Sequence, residues 1–181
     1  MLRSLPVILL ALLVCSAPPA RGDDDPFPRP PSIEDQVRFW TRIYSEVDTQ
    51  GGLIHDSRDM SIVYEKIHFR GGASRRARQR QIEKTKDHYD AILARLAGGK
   101  RTGLDADEQR VLAMFPDGVS NGAIADARGR IRFQLGQADR FRAGVIRSGR
   151  WEPHIAKVLA DYGVPYELAA LPHVESSYNP D

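Results

Sequence analysis

"SNGAIADARGRIRFQLGQADRFRAGVIRSG" runs from Ser120 to Gly149, and its reading sets the fold class. Ile124, Ile131, Leu135, Ala138, Phe141, Val145 and Ile146 recur at intervals that place them along one face of an α-helix. The stretch therefore predicts one long helix from about Ser120 to Arg147, stopped by Gly149.

The neighbouring segments point the same way. "EPHIAKVLADYG" (Glu152–Gly163) reads as a shorter helix, with Pro153 near its start and Gly163 at its C-cap. After it, Pro165 opens a further first turn in "VPYELAALPHVESSY". Upstream, "LDADEQRVLAMFP" carries Asp105 as N-cap and Glu108 three residues on, and Pro116 ends that helix. A long helix is predicted from about Ser74 to Ala97, stopped by Gly98-Gly99, with Ile82, Tyr89, Ile92, Leu93 and Leu96 apolar. Its first half is basic: Arg75, Arg76, Arg78, Arg80, Lys84 and Lys86 face only Glu83. A charge run of this kind is most often a solvated face, with attraction to an anionic surface as the alternative.

"SIEDQVRFWTRIYSEV" (Ser32–Val47) gives an amphipathic first helix, with Ser32 and Asp35 in capping-box positions. Between these helices the period changes. Gly51-Gly52 reads as a helix breaker, and Leu53–His55 with Ser61–Phe69 predicts a short β-hairpin. The fold class is thus mainly α, with one minor β element.

The N-terminus has the make-up of an export signal. Arg3 precedes the apolar run "LPVILLALLVC" (Leu5–Cys15), which is followed by small residues and a cleavage position between Gly22 and Asp23. The run falls short of the roughly 20 residues that span a bilayer. Cys15, the single cysteine, would be an acylation site only if this were a lipoprotein signal, and Val14 before it argues against that. Residues 23–31 form a Pro-rich linker. The formal charge of +2 resides in Arg3 and Arg21, so residues 23–181 are neutral overall and the pI of 8.8 gives no argument for nucleic-acid binding.

Catalytic chemistry has few places to sit. His55, His68, His88, His154 and His173 form no zinc-ligand spacing, so no metal is expected. Ser176 and Ser177 lack a nucleophile elbow, "AGGK" continues into Arg101 rather than a Ser or Thr, and no cofactor is implied. Glu175 remains. At the C-terminal end of a helix, beside Leu171 and Val174, a carboxylate meets the negative end of the dipole and apolar neighbours. Both favour a retained proton, which suits a general acid. A structural glutamate at a helix end is the commoner case on these grounds alone.

"YELAALPHVESSYNP" resembles the opening of the catalytic domain in lytic murein transglycosylases of the soluble-transglycosylase superfamily, most nearly their membrane-bound type D group. The stretches beginning at Gly129 and at Phe39 are similar to the run-in and the N-terminal module of the same proteins. The resemblance implies that Glu175 is the catalytic acid/base, that Ser176, Ser177 and Tyr178 shape the cleft, and that Asn179 holds the turn. It implies non-hydrolytic cleavage of the MurNAc–GlcNAc β-1,4 bond of peptidoglycan, giving a 1,6-anhydromuramyl product. The partner would be peptidoglycan glycan strands, not nucleic acid. The location would be the periplasm or cell envelope of a Gram-negative bacterium, with outer-membrane association only if Cys15 is lipidated.

The implied organisation is a signal peptide (1–22), a linker (23–31), an N-terminal helical module with the hairpin (32–150), and the first helices of an incomplete lysozyme-like α+β domain (151–181). Family members continue past "NPD" with a Gly-rich segment and further cleft-forming helices. The chain is therefore expected to be a fragment, inactive by itself. Two alternatives stand beside this reading. One is a secreted, non-enzymatic helical module that binds cell wall or a partner. The other is a lysozyme-type hydrolase requiring a second carboxylate.

Overall fold

The computed structural model describes residues 25–179. The export signal, Cys15 and Pro180 lie outside them. The protein is mainly α, with seven α-helices and a small antiparallel sheet among the described residues. A 3-10 turn at Pro31–Ile33 leads into α1 (Glu34–Ser45). Ser32 lies within that turn, and the helix N-cap is Ile33 with no side-chain cap. The expected capping box at Ser32 and Asp35 does not form, because the 3-10 entry moves the first helical residue downstream.

Three strands follow the order β2-β1-β3: β1 (Gly51–Asp56), β2 (Val63–His68) and β3 (Ile131–Leu135). The predicted hairpin is the β1–β2 pair. Its register shifts at Ile54/His55, so His55 meets Val63 while Ile54 meets Glu65. This irregularity explains why β2 has no clean apolar face: Tyr64 and Ile67 are both buried although they differ in parity.

β3 corrects the long helix expected from Ser120 to Arg147. That segment divides into α4 (Asn121–Arg128), β3 and α5 (Ala138–Ser148). Gly129 and Gly136 flank β3, and Ile131–Leu135 pairs antiparallel with β1 along its length. Burying a third strand against β1 satisfies backbone groups that an exposed sheet edge would leave open. Val145 and Ile146, expected on a core stripe, are 48% and 76% exposed.

Every residue of β1 is buried, because both faces of the sheet are covered. Leu53 joins Phe39, Ile43 and Val47 of α1 and its C-terminal turn. Ile54 joins the larger cluster built on Ile92, Leu93 and Leu96 of α2 (Arg75–Ala97), Val111 of α3 (Ala106–Leu112) and Ile124 of α4. Ser74 caps α2 through the N–H of Ala77, as its sequence predicts.

The predicted α3 capping box is present, and its carboxylate does more than cap. Glu108 is fully buried and takes hydrogen bonds from Lys100 Nζ (2.6 Å), from Arg95 Nε, and from the Asp105 N–H (3.0 Å). Lys100 first, then Arg95, hold its pKa down to about 2. A depressed carboxylate contributes stability above its unfolded value, near 4.5, and loses it as pH falls toward the folded value. Wild-type protein is expected to lose stability progressively from about pH 4.5 to about 2, and Glu108→Gln to flatten that part of the profile. Urea midpoints measured across this range check it. An unchanged slope in the variant would contradict it.

Tyr64 presents the opposite case. Its hydroxyl is buried with no hydrogen-bond partner among the described residues. Burial, then the Asp56 carboxylate, push its pKa well above the ordinary phenol range. An unpaired buried hydroxyl costs about 1–3 kcal/mol. Tyr64→Phe, which keeps the ring contact with Tyr89 at 5.4 Å, is therefore expected to stabilise the fold by about 1 kcal/mol. Urea unfolding measures this; destabilisation would show that the hydroxyl is satisfied in solution.

Candidate active site

The final quarter of the chain positions Glu175. After α5, Trp151 is the N-cap of α6 (Glu152–Asp161), and its N–H donates to the carbonyl of Ser148 at 2.7 Å. Gly163, with φ +64°, reverses the chain, a conformation glycine adopts without steric cost. A 3-10 segment, Tyr166–Ala170, then leads into the short α7 (Leu171–Glu175). The Tyr166 hydroxyl donates to Glu152 Oε1 at 2.9 Å, tying this return to the start of α6.

Glu175 is the last residue of α7, as expected. Its side chain is exposed, and it has no hydrogen-bond or ion-pair partner among the described residues. Leu171 and Val174 are themselves more than half exposed. The apolar surroundings expected for this carboxylate are thus not supplied: α7 packs against α5 and the 3-10 segment before it, and neither covers Glu175.

The residues after Glu175 are tightly held. Ser177 and Tyr178 take left-handed backbone angles, φ 52° and 54°. Each such non-glycine residue costs of order 1–3 kcal/mol and persists only where its surroundings enforce it. The surroundings are identifiable. Arg147 Nε and Nη2 both donate to the Ser177 carbonyl, at 3.0 and 2.7 Å. Ser177 Oγ donates to the His173 carbonyl at 3.2 Å, and the Tyr178 N–H donates to Ser176 Oγ at 3.2 Å. The Tyr178 hydroxyl reaches back to the Ala169 carbonyl at 3.1 Å. The Asn179 N–H closes the turn on the Ser176 carbonyl at 2.9 Å.

Ring contacts extend this clamp into the body of the protein. Tyr178 meets His173 edge-on at 4.8 Å, His173 meets Phe141 at 5.6 Å, and Phe141 meets Tyr44 of α1 at 5.5 Å. Gly144 lies where α5 passes Ser177: a Cβ there would sit 3.1 Å from the Ser177 Cβ. Arg147, Gly144 and Phe141 were not candidates from the sequence. They lie about thirty residues from the motif, and no spacing rule connects them to it.

A groove of about 640 Å³ opens between α5, α6 and α7. Ile146, Trp151, Ile155 and Pro172 make its apolar wall, with Arg147 and Arg150 at the polar side. Ser176, Tyr178 and Asn179 line it, whereas Ser177 turns toward α5 and Glu175 lies outside the lining. The five candidate residues therefore form one corner with two aspects: a solvent-facing carboxylate, and a groove beside it. Among the described residues no cluster of three His, Cys, Asp or Glu is arranged to hold a metal ion, and no helix is long and apolar enough to cross a membrane. Comparisons with protein-family models, curated proteins and solved structures return no match to this chain.

Proposed function

We propose that the chain is the N-terminal part of an exported peptidoglycan lytic transglycosylase, with Glu175 as its acid/base. The observation that carries this reading is the clamped turn after Glu175. Two left-handed residues, Ser177 held by Arg147 and Tyr178 tied through its hydroxyl to the Ala169 carbonyl, fix the end of α7, and the carboxylate faces out. Such strain is characteristic of positions where geometry matters more than local stability.

In this reading the Glu175 carboxylic acid protonates the glycosidic oxygen between MurNAc and GlcNAc. The C1–O bond breaks with development of oxocarbenium character. The resulting carboxylate then accepts the proton of the muramyl 6-hydroxyl as that oxygen bonds to C1. The proton count closes and the enzyme returns to its acid form. A single carboxylate suffices because the substrate supplies its own nucleophile, unlike the two-carboxylate hydrolases. General acid chemistry at neutral pH requires a wall that desolvates Glu175, and residues 25–179 leave that side open.

Cleavage is therefore expected only where further protein closes the open side of Glu175, and the 181 residues alone are expected to be inactive. Digestion of isolated sacculi by the protein translated from the whole reading frame tests the reading. Release of soluble muropeptides supports it. The second reading, a non-enzymatic wall-binding module, is favoured by the body of the protein having its own core without α7. It predicts co-sedimentation with sacculi and no release.

A further inference from the structure

Residues 70–86 hold seven cations, Arg70, Arg75, Arg76, Arg78, Arg80, Lys84 and Lys86, against the single anion Glu83. Residues 23–181 are neutral as a whole, so this one segment sets a strongly dipolar charge distribution. Two of the cations are committed within the protein. Arg78 packs over Phe69 and donates to the carbonyls of Thr49 and Ala73, and Lys86 pairs with Glu83.

Arg76, Arg80 and Lys84 are different. Spaced i, i+4, i+8, they form one line about 12 Å long on the face of α2 opposite the buried Ile82 and Tyr89. All three are exposed, and none has an ion-pair partner among the described residues. Arg70 and Arg75 are also exposed near the same end. Glu83 is engaged by Gln79 and Lys86, and Asp87 stands at the far end of the line.

Elsewhere several exposed charges are paired, as in Arg128–Asp90, Arg38–Asp35 and Lys157–Asp161, and the exposed cations without an ion pair among the described residues, such as Arg58, Arg140 and Arg150, are not aligned along one helix face. Like charges at i, i+4 destabilise a helix, and α2 has no acidic residue in its first turn to offset them. The like-charge pairs Arg76/Arg80 and Arg80/Lys84 therefore cost the helix some stability, offset in part by Glu83 and Asp87 three residues beyond Arg80 and Lys84.

We propose that this face of α2 adsorbs to an anionic phospholipid surface through headgroup phosphates. A row of cations on a convex helix face matches a planar array of phosphates and attracts it over a Debye length. Single-stranded nucleic acid is the poorer fit because such sites stack bases on aromatic side chains. Phe69 and Tyr89, the aromatics bounding this stretch, are both buried.

The test is co-sedimentation of the 181-residue chain with extruded vesicles, either pure phosphatidylcholine or phosphatidylcholine containing a third phosphatidylglycerol. The readout is the increase in partitioning caused by phosphatidylglycerol, which separates the helix face from any insertion of the apolar N-terminal run. Each basic residue contributes about fivefold at such a surface. R76Q/R80Q/K84Q is therefore expected to reduce the phosphatidylglycerol-dependent partitioning about a hundredfold. The control R58Q/R140Q/K157Q, with the same change in charge, should reduce it far less. High salt should abolish the effect in wild type. Equal losses in the two variants would overturn the proposal, as would tighter binding of a single-stranded oligonucleotide at equal phosphate concentration. Circular dichroism of both variants verifies that the fold persists.

Discussion

Gly136→Ala is expected to destabilise the protein by about 3 kcal/mol or more, enough to leave a sizeable unfolded population in a domain of ordinary stability. A Cβ at this position would lie 2.2 Å from the Val47 carbonyl oxygen and 2.3 Å from that of Asp48. Both are main-chain atoms of the turn joining α1 to β1, so no side chain can swing aside. Two further bonds tie the link between β3 and α5 to this turn and to the start of β1. The Gly136 N–H donates to the Gly51 carbonyl at 3.0 Å, and the Ala138 N–H donates to the Val47 carbonyl at 2.9 Å. Moving the turn to admit a methyl group would strain the β1–β3 pairing on which the sheet depends. Gly71→Ala is the control, since nothing lies within 4 Å of a Cβ there. It should be near neutral. Urea unfolding of both variants measures the difference, and equal midpoints would contradict the close approach.

On the proposed function, Glu175→Gln is expected to reduce glycan cleavage by about a thousandfold or more in the protein translated from the whole reading frame, because one group would serve as both acid and base. Glutamine keeps the size of the side chain and can neither donate nor accept the proton in flight. Glu175 is exposed and makes no contact that holds the fold. The change should therefore move stability by less than about 0.5 kcal/mol. That separation gives the prediction its force: activity falls while the unfolding midpoint stays. A Glu175→Gln variant retaining wild-type cleavage would remove Glu175 from the chemistry. A fall in stability matching the fall in activity would give it a structural role instead.

The features legible in the sequence are those set by neighbours in the chain. Asp105 and Glu108 are three residues apart and form their capping box, and Ser74 and Gly98 bound α2 where the pattern places them. β3 was not legible because Ile131 and Leu135 lie four apart and continue a helical stripe as well as an alternating one. The deciding interaction is the pairing with β1, some eighty residues away. The flanking Gly129 and Gly136 were the local signal, as glycine costs about 1 kcal/mol inside a helix. Gly51-Gly52 reads as a breaker and does follow the end of α1, but it also starts the central strand. There a Cβ on Gly52 would meet the Phe133 ring at 2.3 Å.

The candidate site divides in the same way. The position of Glu175 at the end of a helix followed from Asn179 and the residues before it. Its exposure did not, because burial depends on what packs against α7 rather than on the composition of α7. The Arg147 clamp on Ser177 was equally hidden, being a contact across thirty residues.

The most direct test of the proposed function is the chemical identity of any ends released from peptidoglycan by the protein translated from the whole reading frame. Mass spectrometry of the muropeptides distinguishes the two chemistries, because capture by the muramyl 6-hydroxyl excludes water from the product. The account predicts 1,6-anhydromuramyl ends that borohydride does not reduce. Reducible MurNAc ends would contradict it and would require a second carboxylate to activate water.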